Sequence, residues 1–167
     1  IGVVRQSIGA GRMALMGQPA LALQDGSVLH TEIMGRLLDA SGKQLNAAEF
    51  MPLVSRHHLT VDLDQAVVRR VLQALRDRAP AAGENASPSL VAVNIAAQSV
   101  ADPGFTDWLV GALGRGLQPG VRLVFEVSEH GVLENEAAAR RFATRMQELG
   151  VLFAIDHFGV HRDSLAL

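Results

Sequence analysis

The sequence predicts an α/β fold: a parallel sheet with crossover helices, opened by an antiparallel strand pair. Three observations carry this. From residue 89 onward, short apolar runs alternate with helix-patterned stretches, as crossover connections require. Only Gln24-Asp-Gly-Ser27 separates the first two strand-like runs, and so short a link joins antiparallel strands, because a parallel return takes a dozen residues or more. The last run, Val151-Leu-Phe-Ala-Ile155, is apolar on both faces and passes straight into Asp156-His157-Phe158-Gly159. This is the pattern of a strand buried on both sides that delivers polar groups at its C-terminal mouth, where α/β folds keep their chemistry.

Residues 1–12 read as the tail of a helix or a linker, broken by Gly9 and Gly11. Met13 to Leu23 is strand-like, with Pro19 assigning it to an edge or a bulge because proline offers no amide to a ladder. Val28 to Arg36 is the next strand, and Asp39 to Lys43 a turn. Asn46 caps a helix running through Ser55, with Glu49 at the capping-box position and Pro52 limiting or kinking it. Asp62 or Asp64 starts a longer helix, whose Val67, Val68, Val71, Leu72 and Leu75 recur at helical spacing while Arg69, Arg70, Arg76 and Arg78 face outward. Residues 80–88 form a loop, and Ser89 to Asn94 a strand. Asp102-Pro103 starts a helix through Phe105, Trp108, Leu109 and Leu113, with Trp108 read as core. Val121 to Glu126 is a strand, and Glu134 to Leu149 a helix stopped by Gly150.

Four of these strands hand a polar group to one rim. Glu32, Asn94, Glu126 and Asp156 stand at or near their ends, a set of hard oxygen ligands suited to Mg2+ or Mn2+. Two such ions about 3.5–4 Å apart can activate a water and stabilise in-line displacement at phosphorus. His157 and His161, four apart, also have zinc-pair spacing, but Gly159 between them argues against the regular helix that such a pair needs. His57-His58 reads as a solvated helix end.

Composition limits the rest. With 167 residues, 49% hydrophobic and 19% charged, the chain can bury one core. A formal charge of -2 gives no general attraction to DNA, so a phosphate ligand would be held locally. The absence of cysteine excludes disulfides and thiolate metal sites and suits a reducing compartment; the expected setting is the cytoplasm, as a free protein or as the cytoplasmic part of a membrane-anchored one. No apolar run approaches the ~20 residues that cross a bilayer.

In the same order along the chain, the strings at these strand ends resemble the EAL domain of bacterial cyclic-di-GMP signalling proteins. Gln18-Pro19 matches the family's Gln-Pro-Ile, and Glu32-Ile-Met-Gly-Arg-Leu37 resembles Glu-Ala-Leu-x-Arg-Trp. Glu49-Phe-Met-Pro-Leu53 is similar to Glu-Phe-Ile-Pro-Leu, and Val93-Asn-Ile95 to Val-Asn-Leu-Ser. Phe125-Glu-Val-Ser-Glu129 is similar to Leu-Glu-Ile-Thr-Glu, and Ile155-Asp-His-Phe-Gly159 to Asp-Asp-Phe-Gly-Thr-Gly. The resemblance implies a (β/α)8 TIM-barrel variant with an antiparallel first strand pair. It also implies hydrolysis of cyclic-di-GMP to its linear dinucleotide. Glu32, Asn94, Glu126 and Asp156 fall on the family's metal ligands, Glu32 and Asp156 on its catalytic centre. Arg36 falls on its phosphate-holding arginine, while Gln18 and Met34 would lie against the nucleotide and Glu129 in the metal-adjacent loop. Implied partners are a neighbouring domain such as a diguanylate-cyclase-like one, and a second copy docked through the loop near Asp156.

The departures sit in one loop. His157 replaces the family's second Asp, supplying an imidazole without negative charge. Gly159-Val-His161 replaces Gly-Thr-Gly, and Arg162-Asp-Ser-Leu165 replaces Tyr-Ser-Ser-Leu. The family's catalytic Lys and a further Glu belong to strands beyond Leu167. Residues 1–167 are therefore expected to be the N-terminal two-thirds of one EAL-type domain from a longer multidomain protein, an incomplete barrel. The favoured reading is a domain that binds cyclic-di-GMP and relays the signal with weak or no hydrolysis. The alternative is a working metal-dependent phosphodiesterase. A protein-interaction module without nucleotide is the third reading, against which the retained rim residues speak.

Overall fold

The structure, a computed structural model, describes residues 1–77, 89–114, 116, 117, 119–162 and 164. Its centre is a five-stranded sheet, β1 (Met13–Leu21), β2 (Val28–Leu37), β3 (Ser89–Asn94), β4 (Val121–Ser128) and β5 (Leu152–Asp156), with strand order equal to chain order. β1 and β2 are antiparallel, and every later pairing is parallel. The short 24–27 link thus gives the expected hairpin, and β1 with its Pro19 occupies an edge. The helices are α1 (Gly2–Gly9), α2 (Ala47–Arg56), α3 (Thr60–Asp77), α4 (Ala97–Val100), α5 (Pro103–Leu113), α6 (Glu129–Glu134) and α7 (Glu136–Glu148).

Period-two alternation divides the sheet into an apolar face and a polar one. Val91, Val93, Leu123, Phe125 and Val127 point to the helix side and are buried with Val71 and Leu72 of α3, Phe105 and Leu109 of α5, and Phe142 and Met146 of α7. Phe142 is the hub, its ring centre 6.4 Å from that of Phe105 and 6.1 Å from those of Phe125 and Phe153. A second cluster joins α1, α2 and the start of α3 through Val4, Ile8, Phe50, Val54 and Leu63. Trp108 is half-buried against Phe105, with the Arg69 guanidinium 5.6 Å from its ring centre, in keeping with a core role.

Local chemistry sets the helix starts. Asn46 accepts from the Ala48 amide, Asp102 from Phe105 and Ser128 from Gly131. The Asp39 carboxylate closes its turn on the amides of Ser41 and Lys43. Pro52 does not break α2, which runs through it to Arg56. The segment expected as a tail or linker is helical over Gly2–Gly9, and its Ser7, fully buried, donates to the Leu38 carbonyl at 2.7 Å.

Four expectations need correction. α3 begins at Thr60, ahead of Asp62 and Asp64. The helix expected from Glu134 begins at Glu136 behind an Asn135 cap, and the residues before it form the separate helix α6. The first strand stops at Leu21, where the chain enters the hairpin turn. β5 is half-buried along its whole length and not buried on both sides; among the described residues it pairs with β4 alone. The loop expected over 80–88, and Arg78, lie outside the described residues. No helix among the described residues is long and apolar enough to cross a membrane.

Candidate functional site

The strand registers decide which side chains share the polar face. In β2, Glu32, Met34 and Arg36 are spaced two apart and stand together. Gln18 pairs directly with Glu32, and Met16 with Met34, so Gln18 joins that face. Glu32 is level with Ala92, Asn94 with Glu126, and Ser128 with Asp156. The four candidate ligands therefore ascend across β2, β3, β4 and β5 in steps of two residues or none, all on the face away from the helices.

Contacts tie them together. The Asn94 Nδ2 amide donates to Glu32 Oε1, a bond between adjacent strands. Partial burial pushes the Glu126 carboxyl above its ordinary pKa, the negative charge of Glu32 and then that of Asp156 act in the same direction, and His30 opposes them. A carboxylate whose ionisation is opposed by the negative charge of two neighbouring acids is a fitting environment for a cation. The donors present, three carboxylates and an amide oxygen, match the hard ligands that Mg2+ or Mn2+ takes. Among the described residues, however, no three His, Cys, Asp or Glu side chains are grouped closely enough to enclose an ion. Arg36 Nη2 lies 3.5 Å from Met34 Sδ, its guanidinium at the upper end of the same face.

Past β5 the chain turns sharply. His157 has φ 56° and Gly159 φ 95°, both in the left-handed region; glycine enters it freely and histidine at a cost. The Asp156 carboxylate closes back on its neighbour, Oδ1 accepting from the His157 amide at 2.7 Å and Oδ2 lying 2.8 Å from His157 Nδ1. Opposite it stands Glu129, only 1% exposed at the start of α6. Its Oε1 accepts from the Gly159 amide at 3.2 Å, and its Oε2 from the amides of Val160 and His161 at 3.0 and 3.3 Å. Burial pushes the Glu129 carboxyl up, but the Ser164 hydroxyl and these amides together outweigh it and hold the group below the ordinary range. Glu129 thus anchors the loop that carries the departures, and the His161 ring stacks near that of His130, 5.7 Å between centres. Gly131 lets α6 sit this low, since a Cβ there would lie 2.6 Å from Ala97 Cβ.

Every candidate from the sequence falls on this face or its loop. What sequence reasoning missed is Asp64, whose pattern suggested a helix start but whose side chain reaches the turn after Asn94; only tertiary structure shows that. His30, two residues before Glu32 and facing Glu126, was not singled out either, although its spacing from Glu32 places it on the same face. A cavity of about 880 Å³ lies at the opposite, N-terminal ends of β2 and β3, lined by Leu15, Val28, Leu29, His30, Ile33 and Leu75 among others. Among the described residues no carboxylate lines it, and the four candidate ligands lie away from it.

The EAL domain family profile matches residues 2–167. Cyclic di-GMP phosphodiesterase NbdA of Pseudomonas aeruginosa is 31% identical over 163 residues, covering 98% of this chain and 20% of that protein. The FimX EAL domain from Pseudomonas aeruginosa, solved bound to c-di-GMP, matches with a TM-score of 0.82 at 23% identity, over 99% of this chain and 64% of that one. The Vibrio cholerae LapD S helix-GGDEF-EAL protein, also bound to c-di-GMP, matches with a TM-score of 0.78 at 24% identity, over 98% of this chain and 38% of that one. The chain spans about a quarter of the length of curated relatives such as a Mycobacterium tuberculosis protein, 26% of which it covers. These structural likenesses show the fold, a (β/α)8-type barrel of which the five strands here form a part. With the family profile matched over nearly its entire length, this chain belongs to the EAL domain family.

Proposed function

We propose that this EAL domain binds cyclic-di-GMP and serves as a receptor with weak or no hydrolysis. The observation that carries this reading is the pairing of Asp156 with His157: the acid's two oxygens are taken up by its neighbour's amide and imidazole. A second carboxylate at position 157 would add negative charge to the rim; the imidazole adds none and occupies the first. Glu32, Asn94, Glu126 and Asp156 would hold Mg2+ or Mn2+, Arg36 a phosphate, and Gln18 and Met34 the nucleotide's flank. Bound there, a divalent ion would offset phosphodiester charge and lower the pKa of a water. The chain's own share is binding and orientation: Asn94 fixes Glu32, Glu129 fixes the loop, and the Arg36 guanidinium offers paired donors.

A working phosphodiesterase is the second reading. It is favoured by the retention of all four oxygen donors on one face and by likeness to a protein named as a cyclic di-GMP phosphodiesterase. Signal relay to an adjacent domain such as a diguanylate-cyclase-like one, pairing with a second copy through the loop near Asp156, and a cytoplasmic setting without DNA complete the proposal.

The deciding experiment is turnover of cyclic-di-GMP by the intact protein in Mg2+ or Mn2+, paired with a binding isotherm in Ca2+. Tight binding without linear product supports the receptor. Steady production of the linear dinucleotide establishes the enzyme and shows that His157 is tolerated.

A further inference from the structure

Asn94 is the last residue of β3, and the chain leaves the sheet immediately after it. The Ile95 amide donates to the Glu126 carbonyl at 2.8 Å, which fixes the exit against β4. The next residue, Ala96, is the N-cap of α4 and has no side chain able to cap it. A helix start presents amides that need acceptors, and at Ala96 the turn is half-buried. The acceptor comes from another helix. Asp64 of α3 places Oδ2 at 2.9 Å from the Ala96 amide and 2.6 Å from the Ser99 hydroxyl, the N-cap and third positions of α4. Asp64 is 9% exposed and Ser99 not at all. One carboxylate oxygen thus does in trans what the Glu or Gln of a capping box does locally, accepting from the N-cap amide.

We infer that Asp64 is a positioning residue for the site, holding the β3–α4 turn so that the Asn94 amide meets Glu32. This rests on the proposed role of Asn94 and Glu32 at the ligand site. The arrangement is chosen against an easier one, because a buried carboxylate without a cation beside it is a poor way to stabilise a core. Burial accordingly pushes the Asp64 carboxyl up to about 6, against the Ser99 and Ala96 hydrogen bonds. An apolar residue at 64 would spare that cost but take the acceptor from the half-buried Ala96 amide and the buried Ser99 hydroxyl. Only Ile95 separates Ala96 from Asn94, too little chain for a shift in one to be absorbed before the other. An Asn at 64 retains an acceptor oxygen; an Ala does not.

The test uses the intact protein and four variants: Asp64→Ala, Asp64→Asn, Asn94→Ala and the Asp64→Ala/Asn94→Ala double. Cyclic-di-GMP affinity is measured in Ca2+ by calorimetry, and the Asn94 side-chain amide cross-peak, identified by its loss in Asn94→Ala, is followed by NMR without ligand. Asp64→Ala should move that cross-peak and weaken binding about tenfold. Asp64→Asn should restore both, and the double variant should bind no worse than the weaker single, since both changes disable one group. A cross-peak that stays in place in Asp64→Ala, or losses that multiply in the double variant, would confine Asp64 to supporting the fold and overturn the inference. Should Asp64→Ala not fold, Ser99→Ala removes one of the two donors and should still move the cross-peak; no movement would again overturn it. If the parent binds no cyclic-di-GMP, the proposed function fails, while the ligand-free cross-peak still decides the role of Asp64.

Discussion

His157 Nδ1 lies 2.8 Å from Asp156 Oδ2, so the residue that departs from the family pattern holds the acid beside it. Both side chains are at least partly open to solvent, at 75% and 42%, which keeps the contact itself weak. Its importance is geometric. His157→Asp exchanges a group that caps Asp156 for one that adds a ligand oxygen, and should raise Mg2+- or Mn2+-dependent hydrolysis of cyclic-di-GMP on the order of tenfold, the scale on which single partners move metal sites. No gain over the parent would show that His157 does not limit turnover.

Arg36 tests the nucleotide side of the site. It stands two residues beyond Met34 on the polar face, with Nη2 3.5 Å from the Met34 sulfur, a weak acceptor that leaves the guanidinium available to a phosphate. Arg36→Ala should weaken cyclic-di-GMP binding by ~1.5–3 kcal/mol, the range for a hydrogen bond to a charged group. Calorimetry that returns the parent's affinity would remove Arg36 from the site.

Glu129 controls the loop. Its two oxygens serve three amides, and replacing one oxygen with an NH2 group in Glu129→Gln leaves at least one of Gly159, Val160 and His161 facing a donor. Hydrogen exchange at these amides should accelerate severalfold in the variant. The pH dependence has a definite sign. A carboxyl whose folded pKa lies below its ordinary 4.5 stabilises the folded loop above that value and loses the contribution as pH falls through the lower folded value. Protection of the three amides should therefore persist at pH 5 and fade only in stronger acid. Equal exchange in parent and variant at pH 6 would show that the loop is held by something else.

Much of this was legible in the sequence because it depends on local chemistry. The antiparallel pair followed from a link too short for a crossover, and the shared face of Glu32, Met34 and Arg36 followed from period-two spacing once β2 was placed. Caps at Asn46 and Asp102 were equally local. α6 escaped because six residues carry too little periodicity to stand apart from α7. The half-burial of β5 escaped for a different reason: an apolar run reports what a strand could bury, whereas its neighbours decide what it does bury. Asp64 shows the limit most clearly, since an acid near a helix start is normally assigned to its own helix, and here its acceptor oxygen serves another helix 32 residues further on.

That buried acid also sets a stability profile. The folded pKa of Asp64 is about 6 against an ordinary 3.8, so between these values the folded chain binds more protons than the unfolded one. Stability from this group is therefore complete in acid below the unfolded value and lost as pH rises through 6, opposite in sign to Glu129. The difference of about two pKa units corresponds to ~3 kcal/mol in full, and most of it, ~2 kcal/mol, falls between pH 4.5 and 8. Asp64→Asn cannot titrate. Urea unfolding of parent and variant at these two pH values should show the variant gaining ~2 kcal/mol relative to the parent on going from pH 4.5 to pH 8. A parent-to-variant difference that stays constant across the range would mean that the Asp64 carboxyl ionises in the folded chain as easily as in the unfolded one, and that its burial between α3 and α4 is not maintained in solution.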